Sequence, residues 1–116
     1  MPVIRVDSVN LREARPGIWI RVMVDRGVGA RAITMVRGKV TPGSSLPLHY
    51  HDVEEAFSLV SGEGRSEIDG QVTVLGAGDA LLIPAGAKHQ LTNPSDSEDL
   101  VFVSCFPSDT LVMHRV

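Results

Sequence analysis

Three of the four histidines in this 116-residue chain fall in two short stretches. The first reads Gly43-Ser-Ser-Leu-Pro-Leu-His49-Tyr-His51-Asp-Val-Glu-Glu55, the second Pro84-Ala-Gly86-Ala-Lys-His89. His49 and His51 are two positions apart, so in a strand both imidazoles leave one face while Leu48 and Tyr50 take the other. Glu55 opens the next apolar run on the same face as Phe57 and Leu59, where a carboxylate is partly buried and must be paired or coordinated. A divalent cation would supply that compensation. Pro84 and Gly86 bend the chain so that His89 can return beside the first stretch. Three imidazoles and one carboxylate form a mixed nitrogen and oxygen donor set suited to Fe, Mn, Ni, Co, Cu or Zn, and an octahedral ion so held keeps two positions for water, substrate or dioxygen.

The elements that must carry these residues are strands. Apolar residues recur with a period near two, and almost nowhere with the i, i+3, i+4, i+7 spacing of an amphipathic helix. Expected strands are Val3 to Val6, Ile18 to Val24, Arg31 to Val40, Leu48 to His51, Glu55 to Ser61, Arg65 to Asp69, Gln71 to Leu75, Ala80 to Pro84, Lys88 to Asn93, Asp99 to Phe106 and Thr110 to Arg115. One helical turn is allowed, over Val9 to Arg15. Eleven glycines and seven prolines punctuate the chain, and Asp69-Gly70 is the sharpest hairpin signal because both central residues of such a turn favour positive φ. Many short strands with regular turns indicate an all-β sandwich or closed jelly-roll barrel.

The two stretches extend into a pair of motifs. G-x5-H-x-H-x3-E-x6-G is met by Gly43, His49, His51, Glu55 and Gly62, and G-x5-P-x-G-x2-H-x3-N by Gly78, Pro84, Gly86, His89 and Asn93. On these residues the chain resembles the cupins. The resemblance implies a double-stranded β-helix, or jelly-roll barrel, over residues 1–116 as one domain, with motif 1 at 43–62 and motif 2 at 78–93. It implies one divalent metal per chain held by His49, His51, Glu55 and His89, and a homodimer. It leaves the reaction open, since similar proteins include dioxygenases, decarboxylases, isomerases, lyases, cyclases, sensors and storage proteins.

Other residues receive plainer roles. Glu54 lies on the strand face opposite Glu55 and is expected in solvent or in a salt bridge, and would become the ligand in place of Glu55 only if the strand slipped by one residue. His114 is read as structural or at the surface, and Met23, Met35 and Met113 as core filling. Gly43, Gly62, Gly78 and Gly86 are read as turn or close-packing positions, and Asn93 as bonding its own turn before Pro94. Arg65, Glu67 and Asp69 are read as an outward charged face, and Arg37 and Lys39 as solvent-facing or at a dimer contact. The inward faces are expected to carry Phe57, Leu59, Ile83, Leu91 and Val103, with Met35 and Cys105 as further candidates. Such an apolar pocket suits a small aromatic, enol or diketone better than a sugar.

Composition bounds the partners. Eleven basic and fourteen acidic residues sum to −3, with the basic ones scattered, which argues against a nucleic-acid surface. No run approaches the roughly 18 apolar residues of a membrane span, and no signal-peptide pattern opens the chain. A single cysteine forms no intramolecular disulfide, which fits a reducing compartment, and a cytoplasmic location is expected. Two functions stand open: a metal-dependent enzyme acting on a small organic molecule, by oxygenase-like or Lewis-acid chemistry with Glu55 as a candidate general base, and a non-catalytic module that binds or senses a small molecule or metal. A DNA-binding helical domain has no room in this length.

Overall fold

The computed structural model describes residues 2–116. Eleven strands alternate along the chain: β1 (Arg12–Arg15), β2 (Ile18–Val24), β3 (Thr34–Val40), β4 (His49–Tyr50), β5 (Glu55–Ser61), β6 (Gly64–Ile68), β7 (Gln71–Leu75), β8 (Ala80–Ile83), β9 (His89–Thr92), β10 (Leu100–Phe106) and β11 (His114–Arg115). They form a six-stranded sheet ordered β1-β2-β3-β10-β5-β8 and a five-stranded sheet ordered β11-β4-β9-β6-β7, with every pairing antiparallel. This is the all-β jelly roll expected of the motifs.

The alternation of the strands accounts for the core. In β3, β9 and β10 every second residue is buried, so each strand gives one face to the interior and one to the outside. Ile18, Val40, Leu59 and Leu100 are wholly enclosed, and Phe57 and Phe102 stack with ring centroids 5.2 Å apart. Gly38, in the middle of β3, is the cross-strand partner of Phe102, and a β-carbon placed on it would stand 2.2 Å from the ring. Glycine is there because the aromatic ring occupies the space a side chain would need.

Four glycines of the two motifs, Gly43, Gly62, Gly78 and Gly86, have positive φ, as does the Asp69-Gly70 hairpin turn. Asn93 is fully buried. Its Oδ1 accepts from Ser95 N at 3.0 Å, and its Nδ2 donates to Val40 O and Glu98 O at 2.9 and 2.8 Å. Its backbone also joins the motifs: Asn93 O accepts from Gly43 N, and Asn93 N donates to Ser44 O. A second tie runs from Gly86 N to His51 O at 2.8 Å. The turns of motif 2 are thus bonded directly to the backbone of motif 1.

Several expectations need correction. Val3 to Val6 forms no strand, and Val6–Ser8 makes a short 3-10 turn instead. The span given to a helical turn, Val9 to Arg15, contains β1, because pairing with the edge of β2 supplies backbone bonds that so short a helix could not match. Arg31 to Ile33 precedes β3 as a bend, and the last segment pairs only at His114–Arg115. In β10 the phase is reversed: Phe102, Ser104 and Phe106 face inward, while Val103 and Cys105 lie on the half-buried outer side with Met35. Both faces of that strand are apolar enough that alternation alone does not choose between them.

Adding even one methyl at position 38 should therefore force the Phe102 ring out of place. Gly38→Ala is expected to cost about 1–3 kcal/mol in urea unfolding, and Phe102→Leu should recover part of that loss in a double-mutant cycle. Additive effects would show that the ring does not set the constraint.

Candidate metal centre

The histidines meet because two strands pair. His49 in β4 is the direct cross-strand partner of His89 in β9, which brings their rings to 4.1 Å between centroids. His51 follows two residues after His49 on the same face, its ring 5.0 Å from His49 and 5.4 Å from His89. All three are buried, and each offers a ring nitrogen to a cluster within 4.8 Å. Glu55 comes from the opposite sheet, at the first position of β5, and is equally buried. Its neighbour Glu54 is exposed on the other face, as the alternation required.

Backbone carbonyls set the histidine tautomers. Nδ1 of His49 lies 2.7 Å from Pro47 O, that of His51 2.7 Å from Val112 O, and that of His89 2.8 Å from Ala87 O. A carbonyl only accepts, so each Nδ1 carries the proton and donates it, which leaves each neutral Nε2 as a lone-pair donor. This is the arrangement by which metal-ligating histidines are oriented.

On the carboxylate, Ser104 Oγ donates to Glu55 Oε2 at 2.7 Å. Oε1 stands 3.3 Å from His89 Nε2 and 3.5 Å from His51 Nε2. At that separation Glu55 Oε1 and His89 Nε2 are close enough for an ion pair, yet neither makes a hydrogen bond. With neutral histidine both atoms are acceptors facing each other across a buried gap, which is unfavourable unless a proton or a cation lies between them. The proton affinities reflect this. Burial lowers the pKa of His49 to about 4, and the neighbouring His89 and His51 add to the effect against the Pro47 carbonyl. Burial also opposes charge on His89, but the Glu55 carboxylate and the Ala87 carbonyl together outweigh it and raise its pKa above 6.5.

His49, His51 and Glu55 open into a cavity of about 340 Å³ between the sheets, at the small end of the range for ligand pockets. Ile20, Val36, Phe102, Phe106 and Met113 are among its apolar walls, and Arg12 and Arg15 also line it. Ile83, Leu91 and Phe57 border a narrower recess of about 30 Å³ on the other side of His49, Glu55 and His89. Leu59 belongs to the closed core, and Cys105 lies beside an outer hollow with Ile33 and Glu54. His114 bonds Asp52 at 2.8 Å and stacks on Tyr50, outside the cluster.

Sequence reasoning passed over four contributors. Ser104 was hidden by the reversed phase of β10. Val112 acts through a backbone carbonyl that no residue type announces. Arg12 and Arg15 lay in the segment read as a helical turn; their matching charges three residues apart were the one available signal.

The cupin domain family model matches residues 36–106, which hold every member of the cluster. "Polyketide synthase CurC" of Streptomyces cyaneus is 32% identical over 98 residues, covering 83% of this chain and 63% of that protein. The "Oxalate-binding protein" of Thermotoga maritima is 33% identical over 75 residues, covering 64% of this chain and 61% of that one. The chain thus spans less than two thirds of either relative. Among solved structures, the polyketide cyclase RemF from Streptomyces resistomycificus superposes with a TM-score of 0.85 at 22% identity, over 100% of this chain and 85% of that one. Among the described residues, no helix is long and apolar enough to cross a membrane.

Removing the Ser104 hydroxyl leaves a buried carboxylate oxygen without its donor. Ser104→Ala should lower stability at pH 7 by about 1–3 kcal/mol, read as a lower urea midpoint at unchanged slope. An unchanged midpoint would show that Glu55 does not depend on this bond.

Proposed function

The chain belongs to the cupin family, and from that premise we propose that it is a mononuclear metal-dependent enzyme acting on a small, oxygen-bearing organic molecule. The observation that carries the reading is the pair of facing acceptors, Glu55 Oε1 and His89 Nε2, buried beside His49 and His51, which with Glu55 line one end of a largely apolar cavity. His49, His51 and His89 through Nε2, with Glu55 through Oε1, are the residues that would hold one divalent ion. The neutral imidazoles and the carboxylate fit Fe, Mn, Ni, Co, Cu or Zn. Such an ion supplies Lewis-acid polarisation of a carbonyl or enol oxygen or, if redox-active, a site for dioxygen.

The chain's own residues do the rest. The three carbonyl-bound imidazoles stay oriented without reorganisation, and Ser104 steadies Glu55 through Oε2 so that Oε1 alone faces the cavity cluster. In this reading Glu55 Oε1 would complete the donor set, and the same carboxylate is the base placed to accept a proton from substrate. Phe102, Phe106 and Val36 exclude water around the reacting group. The similarity to a protein named polyketide synthase CurC supports a polyketide-like ketone or enol as substrate. A second reading, binding without turnover, is favoured by the similarity to a protein named for oxalate binding. Reconstitution with Fe, Mn, Ni, Co or Zn and assay against diketones, flavonols and aromatic diols separates the two: turnover by any metal form supports the enzyme, and tight binding with no turnover by any form supports the binder.

The metal assignment has its own outcomes. About one equivalent of divalent ion per chain should remain after reconstitution and dialysis, and His51→Ala or His89→Ala should release it. Unchanged metal content in both variants overturns the assignment.

Acidity provides a further check. His49, with its pKa near 4, holds no proton to displace at neutral pH, whereas His89 is raised and must lose one before its Nε2 can ligate. Affinity for Co(II) should therefore strengthen between pH 6 and pH 8 until His89 is deprotonated, by no more than about tenfold per pH unit for one displaced proton. A dissociation constant that does not change over that interval excludes proton competition at His89.

A further inference from the structure

The first strand carries an irregularity whose position matters. In the pairing of β1 with β2, Arg12 stands opposite Ile20 and Glu13 opposite Trp19, but Arg15 stands opposite Ile18. The extra residue is Ala14. Residues three apart on a regular strand point to opposite faces. The bulge cancels that change of phase, because one inserted residue restores the side on which the next projects. Residues directly opposite in an antiparallel pair share a face, and Ile18 and Ile20 are both buried on the inner face of β2. Arg12 and Arg15 consequently both turn toward the cavity, which they line together with His49, His51 and Glu55. The outward residue between them, Glu13, accepts a bond from Gly17 N at 3.2 Å instead of facing either guanidinium.

Among the described residues, neither arginine has a partner for its charge. Among the described residues, the ion pairs are His51 and His89 with Glu55, and His114 with Asp52. Arg12 is exposed and Arg15 half-buried, which places two free guanidinium groups on an apolar cavity whose far wall is the histidine cluster. A guanidinium offers a planar fork of N–H donors matched to a carboxylate. A neutral diketone or aromatic diol would leave both forks unused.

We propose that Arg12 and Arg15 form an anion clamp, and that the molecule this cavity takes is a small organic acid: an apolar or aromatic body bearing a carboxylate. The carboxylate pairs with the arginines, the body lies against Ile20, Val36 and Phe106, and the opposite end is presented to the histidines and Glu55. This assignment rests on the reading of the cavity as the substrate site and narrows that reading to a charge class. Arg12 and Arg15 are positioning and specificity residues in it, and take no part in bond making.

Calorimetric titration with benzoate and with its neutral isostere benzamide tests the clamp directly. The Co(II)-loaded wild-type protein should bind benzoate about tenfold or more tighter than benzamide. In Arg12→Gln/Arg15→Gln the two should bind within about twofold of each other, by loss of benzoate affinity alone. Metal content and circular dichroism should match wild type, since neither arginine belongs to the core or the histidine cluster. The same titrations on EDTA-treated protein separate this proposal from the metal reading. Benzoate preference that survives metal removal and disappears with the arginines supports the clamp, even if the histidines prove to hold no metal. Preference that disappears with the metal and survives in the double variant assigns the carboxylate to the ion and overturns the clamp. Absence of any benzoate preference in wild-type protein, loaded or metal-free, overturns it as well.

Discussion

Two acceptors facing each other in the interior is the constraint around which this molecule is organised. Glu55 Oε1 and the Nε2 of His89 approach to 3.3 Å with no donor between them. A folded chain tolerates such an arrangement only if something positive occupies the gap, and a proton and a divalent cation are the two candidates. A proton, favoured at His89 by the Glu55 carboxylate, is one solution to the same problem, and a cation held by the donor set would be the other. The two solutions compete for one gap.

The architecture that maintains this tension comes from both sheets. The five-stranded sheet supplies His49 and His89 as direct cross-strand partners, with His51 just beyond β4. The six-stranded sheet supplies Glu55 and, from its neighbour β10, the serine that bonds it. Neither sheet alone could bring the carboxylate to the imidazoles, so the cluster exists only when the sheets close over a common core. The direct bonds between the motifs, from Gly43 to Asn93 and from Gly86 to His51, hold that closure at backbone level. Ring orientation is likewise delegated to backbone: three carbonyls choose the tautomer of three histidines, and one of those carbonyls belongs to Val112, 61 residues from its imidazole.

Alongside this centre the cavity has a character the donor set does not predict. Its walls are largely aliphatic and aromatic, in keeping with an interior built from alternating strands, yet its rim carries two arginines brought to one face by a single inserted residue. A bulge on an edge strand costs little, because one side of that strand has no pairing to lose. The edge is therefore where an inward charge is most easily introduced without disturbing the core.

What the sequence determined by itself was the part governed by local spacing. Residues two apart share a strand face, so His49 and His51 had to act together and Glu54 had to part from Glu55; glycines at positions 43, 62, 78 and 86 answered the need for positive φ. The alternating pattern likewise made the chain all-β, and most of its strands could be placed from it. Tertiary structure decided whatever alternation leaves ambiguous or does not encode. The inward face of β10 was settled by packing, which took Ser104 and rejected Val103 and Cys105 because both faces of that strand were apolar enough to serve. β1 arose because the edge of β2 supplied it with backbone partners, and the register of that pairing, with its bulge at Ala14, turned two unremarked arginines toward the cavity. Side-chain periodicity is written along the chain, but register, phase and the choice of a carbonyl partner are relations between distant segments, and these take definite values only once the sheets have closed.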